Sequence, residues 1–499
     1  MSGSAHENRC PAYYALIVFT ILTSVNQLHR YLLIATIEPM SNDLQFGDKE
    51  CIVDNATEVQ AFIEDVGLNV TDEEFCAADD GVRCINQTSF NNVTLCRWYY
   101  TGTGIEFEIL AGPVFIIVLG LLGVPVTILA EVGNINRKNV VGVITFLWSV
   151  TILCTGFAHT LVEVTVWRFM LGFFQAPFNP FSISILVSFF PPTQRGLAIG
   201  LATSGSYAGY GLSYAFIALV ELIGWRWSYI SAGIGGAVLG ILTLLTVKNP
   251  PATNDRDGVA ALPRSFKDIW NALTPQPWII LSPIFLAFAC KMGYQYTLSY
   301  NLNNYFGEYY PSFQTDAILS WMLPVAGIAS YVMGGFLSDL VGRRFGARGR
   351  LSVIVILEII QIPLYILFIT LDLPFNLITG GLSIVAGDGW LGIGLSAMAD
   401  IVSQNIRTVV YALFFCVMDV LGGSVMVAIS PITEAIGFRA ALLWFGTGMV
   451  VGGTLMILLA ILALTIKQRR GGIDPDEPLR VHQESERAPL IDKETTSMS

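Results

Sequence analysis

The sequence predicts an all-α integral membrane protein whose twelve spanning helices form two six-helix bundles. Three observations predict it. Of 499 residues, 53% are hydrophobic and 13% charged, with a mean hydropathy of +0.60. A water-exposed surface on a chain this long needs far more polar residues, so the bilayer is the solvent. The apolar residues also fall into twelve runs, each near the ~20 residues that cross a hydrocarbon core as a helix. Finally, Arg137, Lys138, Arg195, Lys248, Arg256, Arg264, Lys267, Arg343, Arg344, Arg348, Arg350, Arg407, Lys467, Arg469 and Arg470 all fall on one side of the predicted topology. An excess of positive charge marks that side as cytosolic, and an even number of spans puts both termini there.

The first run, residues 12–37, follows a short cytosolic N-terminus (1–11). It is too long for a signal-peptide core and no small-residue cleavage pattern follows it, so it is a span. Residues 41–105 form the first exoplasmic loop, lumenal or extracellular, with twelve acids between Asp43 and Asp80 against Lys49, Arg83 and Arg97. Much of the net charge of −11 sits there, which argues against a nucleic-acid partner. Cys51, Cys76, Cys84 and Cys96 lie in the same loop, and an even set in an oxidising compartment predicts two disulfides in any of three pairings. Sequons at Asn55, Asn69, Asn86 and Asn92 predict glycosylation. Cys10, Cys154, Cys290 and Cys416 are isolated and read as packing residues.

The second and third runs, 108–130 and 140–158, flank the turn Ala130-Glu131-Val132-Gly133-Asn134-Ile135-Asn136-Arg137-Lys138. The fourth run, 161–189, carries Arg168 and Gln175. In the fifth and sixth, 197–220 and 227–247, the stretches Gly205-Ser206-Tyr207-Ala208-Gly209-Tyr210-Gly211 and Gly233-Ile234-Gly235-Gly236 imitate a nucleotide loop. Neither follows a strand and no Walker lysine accompanies them, so small residues at helix contacts explain them better. The polar stretch 248–276, with Pro250-Pro251, is a cytosolic linker dividing an N-terminal bundle (12–247) from a C-terminal one (277–466).

The seventh run, 278–300, carries Lys291 and a polar-aromatic face of Tyr294, Tyr296, Tyr300 and Asn301. The eighth and ninth, 317–340 and 351–371, enclose Gly334-Gly335-Phe336-Leu337-Ser338-Asp339-Leu340-Val341-Gly342-Arg343-Arg344, a tight loop with one acid, paired glycines and paired arginines, and the ninth carries Glu358. The tenth, eleventh and twelfth runs, 376–401, 408–430 and 440–466, bring Asp388 and Asp419 into the membrane. The tail, 467–499, reads as disordered. Within it Glu486, Leu490 and Ile491 fit an acidic dileucine signal that clathrin adaptor proteins read, so lysosomal or late endosomal membranes are the expected location, with the plasma membrane as the alternative.

An ionic side chain at a helix centre costs on the order of 2.5–3.5 kcal/mol, so those in the spans default to function. Arg30, Arg168 and Lys291 fall in the exoplasmic half and suit an anionic headgroup, arginine offering a forked contact to phosphate or carboxylate. Gln175 and Tyr294 join them as substrate-binding candidates. The structural alternative is that these charges only pair with one another, for example Lys291 with Asp419. His29, which titrates near ~6.5 when unperturbed, and the mid-depth Asp388 and Asp419 are the proton-coupling candidates.

The loop at 334–344 resembles the cytoplasmic signature of the major facilitator superfamily. That likeness implies that Asp339 holds Arg343 and Arg344 as a conformational latch, that Arg137 and Lys138 form its counterpart in the first half, and that Glu358, in a peripheral ninth span, makes a local contact. Gly224-Trp225-Arg226-Trp227 is similar to another pattern of that superfamily. Asn26-Gln27-Leu28-His29-Arg30-Tyr31 resembles the first-span Asn-Tyr-X-Asp-Arg-Phe/Tyr of the spinster family, with His29 where the acid stands. Arg168, Gly172 and Gln175-Ala176 resemble its fourth-span Arg-X3-Gly-X-Gly-Glu-Ala, with Gln175 replacing the acid. Trp148-Ser149 and Thr151 resemble its third span, and Asp419 stands where the eleventh carries Gly-Asp, Met418 replacing the glycine. The resemblance implies the major facilitator fold, transport of lysophospholipids or sphingoid phosphates, and proton coupling.

The expected function is therefore alternating-access secondary transport of a small or amphiphilic organic anion, lysophospholipid first, with protons as a possible co-substrate and no cofactor or metal. The rival is a non-transporting receptor or scaffold that binds a partner through the glycosylated loop. No nucleophile–base pair, metal cluster or phosphate loop stands out, so an enzyme is not expected.

Overall fold

The computed structural model describes residues 9–66, 70–71, 75–76, 82–85, 89–90, 93–102, 105–133, 135–248, 265–311, 315–404, 406–425 and 428–470. Sequons Asn69, Asn86 and Asn92, most of the linker, and the tail residues Glu486, Leu490 and Ile491 lie outside the described residues. The chain opens with α1 (Arg9–Leu44) and continues into a cap of β1 (Lys49–Val53), α2 (Ala56–Val66), α3 (Val82–Ile85), β2 (Ser89–Phe90), β3 (Val93–Thr94) and β4 (Cys96–Tyr100). Then follow α4 (Ile105–Ala111), α5 (Pro113–Val132), α6 (Arg137–Thr155), α7 (Leu161–Gln175), α8 (Phe178–Phe189) and α9 (Arg195–Thr246). Beyond the linker come α10 (Phe266–Leu273), α11 (Trp278–Tyr309), α12 (Thr315–Thr370), α13 (Phe375–Gly387), α14 (Trp390–Ile401), α15 (Arg407–Val425), α16 (Ile429–Ile436) and α17 (Phe438–Arg470).

Among the described residues, ten helical runs are long and apolar enough to cross a membrane, and two of them, 195–246 and 318–370, are 52 and 53 residues long. At ~1.5 Å per residue each is far longer than the ~30 Å hydrocarbon core, so each makes two crossings. The reversals fall at Gly224 (φ 80°, ψ 160°) and Gly346 (φ 58°, ψ −144°), backbone regions that side chains with a Cβ avoid. Ten runs thus give twelve crossings. Two of these are interrupted in mid-course, the fourth between α7 and α8 and the tenth between α13 and α14. They hold corresponding places in the two halves, and paired interruptions of this kind point to a binding site in repeated carriers.

The glycine run of α9 is a contact surface. A Cβ on Gly205 or Gly209 would sit 2.3 Å from the Thr20 carbonyl oxygen or 2.0 Å from that of Ser24, both on α1. One on Gly200 would sit 2.5 Å from the Tyr331 oxygen on α12. Backbones approach this closely only where side chains are absent.

The first helix runs seven residues beyond the predicted 37, to Leu44, because the cap is built on its end. Ser41 Oγ and Asn42 Nδ2 donate to the Tyr100 carbonyl at 3.1 and 2.7 Å, the Tyr100 amide returns a bond to Asn42 Oδ1 at 3.0 Å, and Tyr99 donates to Glu38. In the cap β1 and β4 pair antiparallel from Lys49↔Tyr100 to Val53↔Cys96. Disulfides Cys51–Cys84 and Cys76–Cys96 resolve the three open pairings to one. Among the described residues they surround a small core of Val59, Ile63, Phe75, Leu95 and the cysteines, with Val53, Phe62, Phe90 and Trp98 packed against it; small domains of this kind rely on staples.

Candidate functional site

Arg30 lies near the middle of α1, 5% exposed. Its Nη1 donates to Tyr296 Oη at 3.4 Å, Tyr296 donates to Asp419 Oδ1 at 3.4 Å, and its guanidinium lies 5.1 Å from the Phe115 ring centre. Arg30 Nε is buried and has no hydrogen-bond partner among the described residues. Tyr296 and Asp419 belong to the second half, so the contact bridges the bundles.

Arg168 and Gln175 serve α1 as props. Arg168 Nη2 donates to the Arg30 carbonyl at 2.9 Å and Nε to the Leu110 carbonyl at 3.3 Å, with its guanidinium 4.7 Å from the same Phe115 ring. Gln175 Nε2 donates to the Asn26 carbonyl at 3.3 Å. Asn26 and Arg30 are four residues apart on one face of α1, so α7 grips that helix at two successive turns. His29 is fully buried on another face, where Nε2 donates to the Ala232 carbonyl at 3.0 Å. A bond to a carbonyl fixes the hydrogen on Nε2.

Lys291 does not pair with Asp419. It lies 3.4 Å from Glu358 Oε1, and its Nζ donates to Gln361 Oε1 at 2.6 Å. Glu358 is therefore no peripheral residue with a local contact. It is 1% exposed and also accepts from Thr454 at 2.6 Å, because α11, α17 and the second crossing of α12 pack together and an unpaired charge there would be costly. Asp388 sits at the α13–α14 interruption and accepts from Tyr207 and, at 3.4 Å, from Gln361 Nε2. Tyr294 is buried edge-on to Tyr365, and its ring centre lies 5.7 Å from Lys291 Nζ.

Two cavities lie among these residues. The central one, about 70 Å³, is lined by Gln27, Arg30, Tyr31, Asn179, Ser206, Tyr207, Gln295 and Asp419, among others from both halves. At ~10–15 Å³ per water it has room for several waters or a small polar solute. A side cavity of about 30 Å³ is walled by Tyr294, Leu302, Phe306, Leu319, Phe368 and Asp388. Of the predicted binding residues, Arg30 lines the central cavity and Tyr294 the side cavity, whereas Arg168, Lys291 and Gln175 line neither. Asp419 and Asp388 line one each, and His29 neither. Sequence reasoning missed Tyr207, Tyr210, Gln295 and Gln361. The tyrosines recur at 207, 210 and 214, one helical face, which was a readable signal inside the glycine run.

At the end away from the cap, Asp339 accepts from the backbone amides of Gly196 and Leu197 at 2.9 and 2.8 Å, at the positive end of α9's dipole. Its arginine partner is Arg350 (2.8 Å), not the expected Arg343 or Arg344, because the reversal at Gly346 folds Arg350 back beside Asp339. Arg350 also donates to Asp400 (2.8 Å) and to the Pro192 carbonyl (2.6 Å), and Arg195 pairs with Asp400 at 3.2 Å. Arg343 donates to the Thr193 carbonyl at 3.2 Å, while Arg344 is exposed over Phe345. In the first half Arg137 forks onto Glu131 at 3.0 and 3.3 Å and reaches Ser184, which bonds Thr408 of the second half at 2.9 Å. Lys138 stays within the first half, on the Leu244 carbonyl at 3.1 Å. These bonds tie the halves together at this end.

The family model of the Major Facilitator Superfamily matches residues 19–427. Among curated proteins, the D-galactonate transporter of Escherichia coli O6:H1 is 35% identical over 107 residues, 21% of this chain and 25% of that protein. The hexuronate transporter of Bacillus subtilis is 24% identical over 219 residues, 41% of this chain and 49% of its own. The chain thus spans a quarter to about half the length of these relatives. Among solved structures, a bacterial homologue of the human lysosomal transporter Spinster, in an inward-facing and unoccupied conformation, superposes with a TM-score of 0.55 at 16% identity, covering 91% of this chain and 97% of that one.

Proposed function

The chain belongs to the major facilitator superfamily, and from that premise we propose that it is a secondary active transporter, working by alternating access, for a small organic anion held at Arg30. One observation carries the proposal: a buried guanidinium whose Nε has no partner among the described residues lines a cavity that both halves enclose. A desolvated guanidinium offers its remaining fork to a carboxylate or phosphate far more strongly than it would in water. The other polar groups around the cavity are neutral amides and hydroxyls apart from Asp419, and the buried Oε1 of Gln27 also lacks a partner among the described residues. That lining suits a polyhydroxylated carboxylate, the chemistry named in the galactonate and hexuronate transporters. Lysophospholipid is the second reading. The spinster-like residues of the first and fourth spans favour it, as does the apolar side cavity that could take part of a chain.

The test is uptake into proteoliposomes with labelled sugar acids and lysophospholipids side by side. Arg30→Ala should lower uptake of the true substrate by at least about tenfold at unchanged expression; full uptake would sink the proposal. Screening the same compounds for a rise in melting temperature identifies the ligand without assuming a direction of transport. Asp419 and Asp388 are the proposed proton carriers, being the carboxylates at the cavities, and collapsing a pH gradient should slow accumulation. A receptor acting through its loop would lose its function when residues 41–105 are deleted, whereas a carrier keeps flux through its core. We place the cap in the lumen or outside the cell with glycans on its sequons, both termini in the cytosol, and the dileucine tail in the hands of adaptor proteins that send the carrier to endolysosomal membranes.

A further inference from the structure

The two cavities share one wall, and that wall crosses between the halves. Tyr207 and Tyr210 of α9 and Gln295 and Ser299 of α11 line both. Tyr210 donates to the Ser299 carbonyl at 3.3 Å. Tyr207 donates to Asp388 and accepts from Gln295 Nε2 at 3.3 Å. From this wall the side cavity runs toward the cap end, past Leu302 and Phe306 near the end of α11 and Leu319 near the start of α12. A solute moving between the cap end and Arg30 by this route must pass the tyrosines.

Behind Asp388 the hydrogen-bond chain continues into the second half. Gln361 Nε2 donates to Asp388 Oδ1 at 3.4 Å, Lys291 donates to Gln361 Oε1 at 2.6 Å, and Glu358 lies 3.4 Å from Lys291. Lys291 and Glu358 are 1% exposed, Gln361 is 0% and Asp388 4%. An ammonium only donates, so Lys291 fixes which end of the Gln361 amide faces it and thereby turns the N–H toward Asp388. Gln361 is also wedged on the backbone beside Asp388, since a Cβ on Gly387 would fall 1.9 Å from its Cδ.

We propose that Lys291 and Glu358 are positioning residues rather than ligands: through Gln361 they orient Asp388, whose bond to Tyr207 shuts the central cavity against the side cavity. The significance of this gate rests on the alternating-access reading, but its measurement needs no substrate. A cysteine at Thr203, which lines only the central cavity, is labelled in the full-length protein in nanodiscs with a membrane-impermeant thiol reagent, and the rate is read as the excess over the parent.

Tyr207→Phe should raise that rate by about tenfold, the equivalent of one lost charged hydrogen bond. Lys291→Met should raise it similarly, Lys291→Arg should restore it, and Lys291→Met in the Tyr207→Phe background should add nothing, because both act on one bond. Lys291→Met leaves Glu358 unpaired and can compromise folding, so Lys291→Met with Glu358→Gln is made as well. With no stranded charge, a merely structural ion pair predicts the parent's rate and the relay still predicts acceleration. Parent-like labelling in that pair, or multiplying effects in the Tyr207 background, overturns the relay; a parent-like rate for Tyr207→Phe overturns the gate. Accelerated labelling in a protein that carries no anion would sink the transport reading and leave the gate standing.

Discussion

At the scale of the residue, Lys291 Nζ lies 3.4 Å from Glu358 Oε1, and both side chains are buried. Hydropathy exposes every ion in a span, yet it says nothing about which helix stands opposite. Lys291 therefore read as a ligand and Glu358 as peripheral, although the two form a buried pair. Arg30 was picked out by the same rule, and its Nε is buried without a partner among the described residues. Arg30→Lys keeps the charge and loses the planar fork, so it should weaken anion binding by about tenfold in a thermal-shift titration, whereas equal affinity would mean that charge alone is read. His29→Gln should leave both uptake and its response to a pH gradient intact, since a side-chain amide can replace the single N–H that reaches the Ala232 carbonyl. Loss of the gradient response in that variant would instead make His29 a proton carrier.

At the scale of the element, apolar runs and their punctuation gave the twelve crossings, including the two reversals that the structure places at Gly224 and Gly346. Less visible were the interruptions of the fourth and tenth crossings, where Ala176-Pro177 and Asp388-Gly389 sit inside otherwise continuous apolar stretches. The extension of α1 depends on bonds to Tyr100, about sixty residues away, and no local pattern announces it. The α1–α9 contact gives an element-scale prediction. Gly209→Val should lower the melting temperature, costing about 1–3 kcal/mol as an overpacked contact, because its Cβ would meet the Ser24 oxygen. Gly235→Ala, whose Cβ would meet nothing within 4 Å, is the matched control and should melt like the parent.

At the scale of the whole molecule, the superfamily signature was legible as a class marker and only half legible as a mechanism. Asp339 does hold an arginine across a helix reversal, but the partner is Arg350 and the bond extends onto the amide end of α9 in the other half. The equivalent Glu131–Arg137 fork closes within the first half. Asp339→Asn should therefore loosen the tied end and increase labelling of a cavity cysteine from that side. Arg350→Gln should do the same, and the double variant should show less than the sum of the two. The cap sits at the opposite end. It is fastened to α1 through Ser41 and Asn42, and just past α1's docking turn Asp43 takes Trp225 and Arg226 of α9 at 3.1 and 2.9 Å. All of these anchors belong to one half. If the chain cycles as proposed, anything that grips the cap, an antibody or a neighbouring glycoprotein, holds one half through these anchors and biases the cycle without approaching the proposed substrate path.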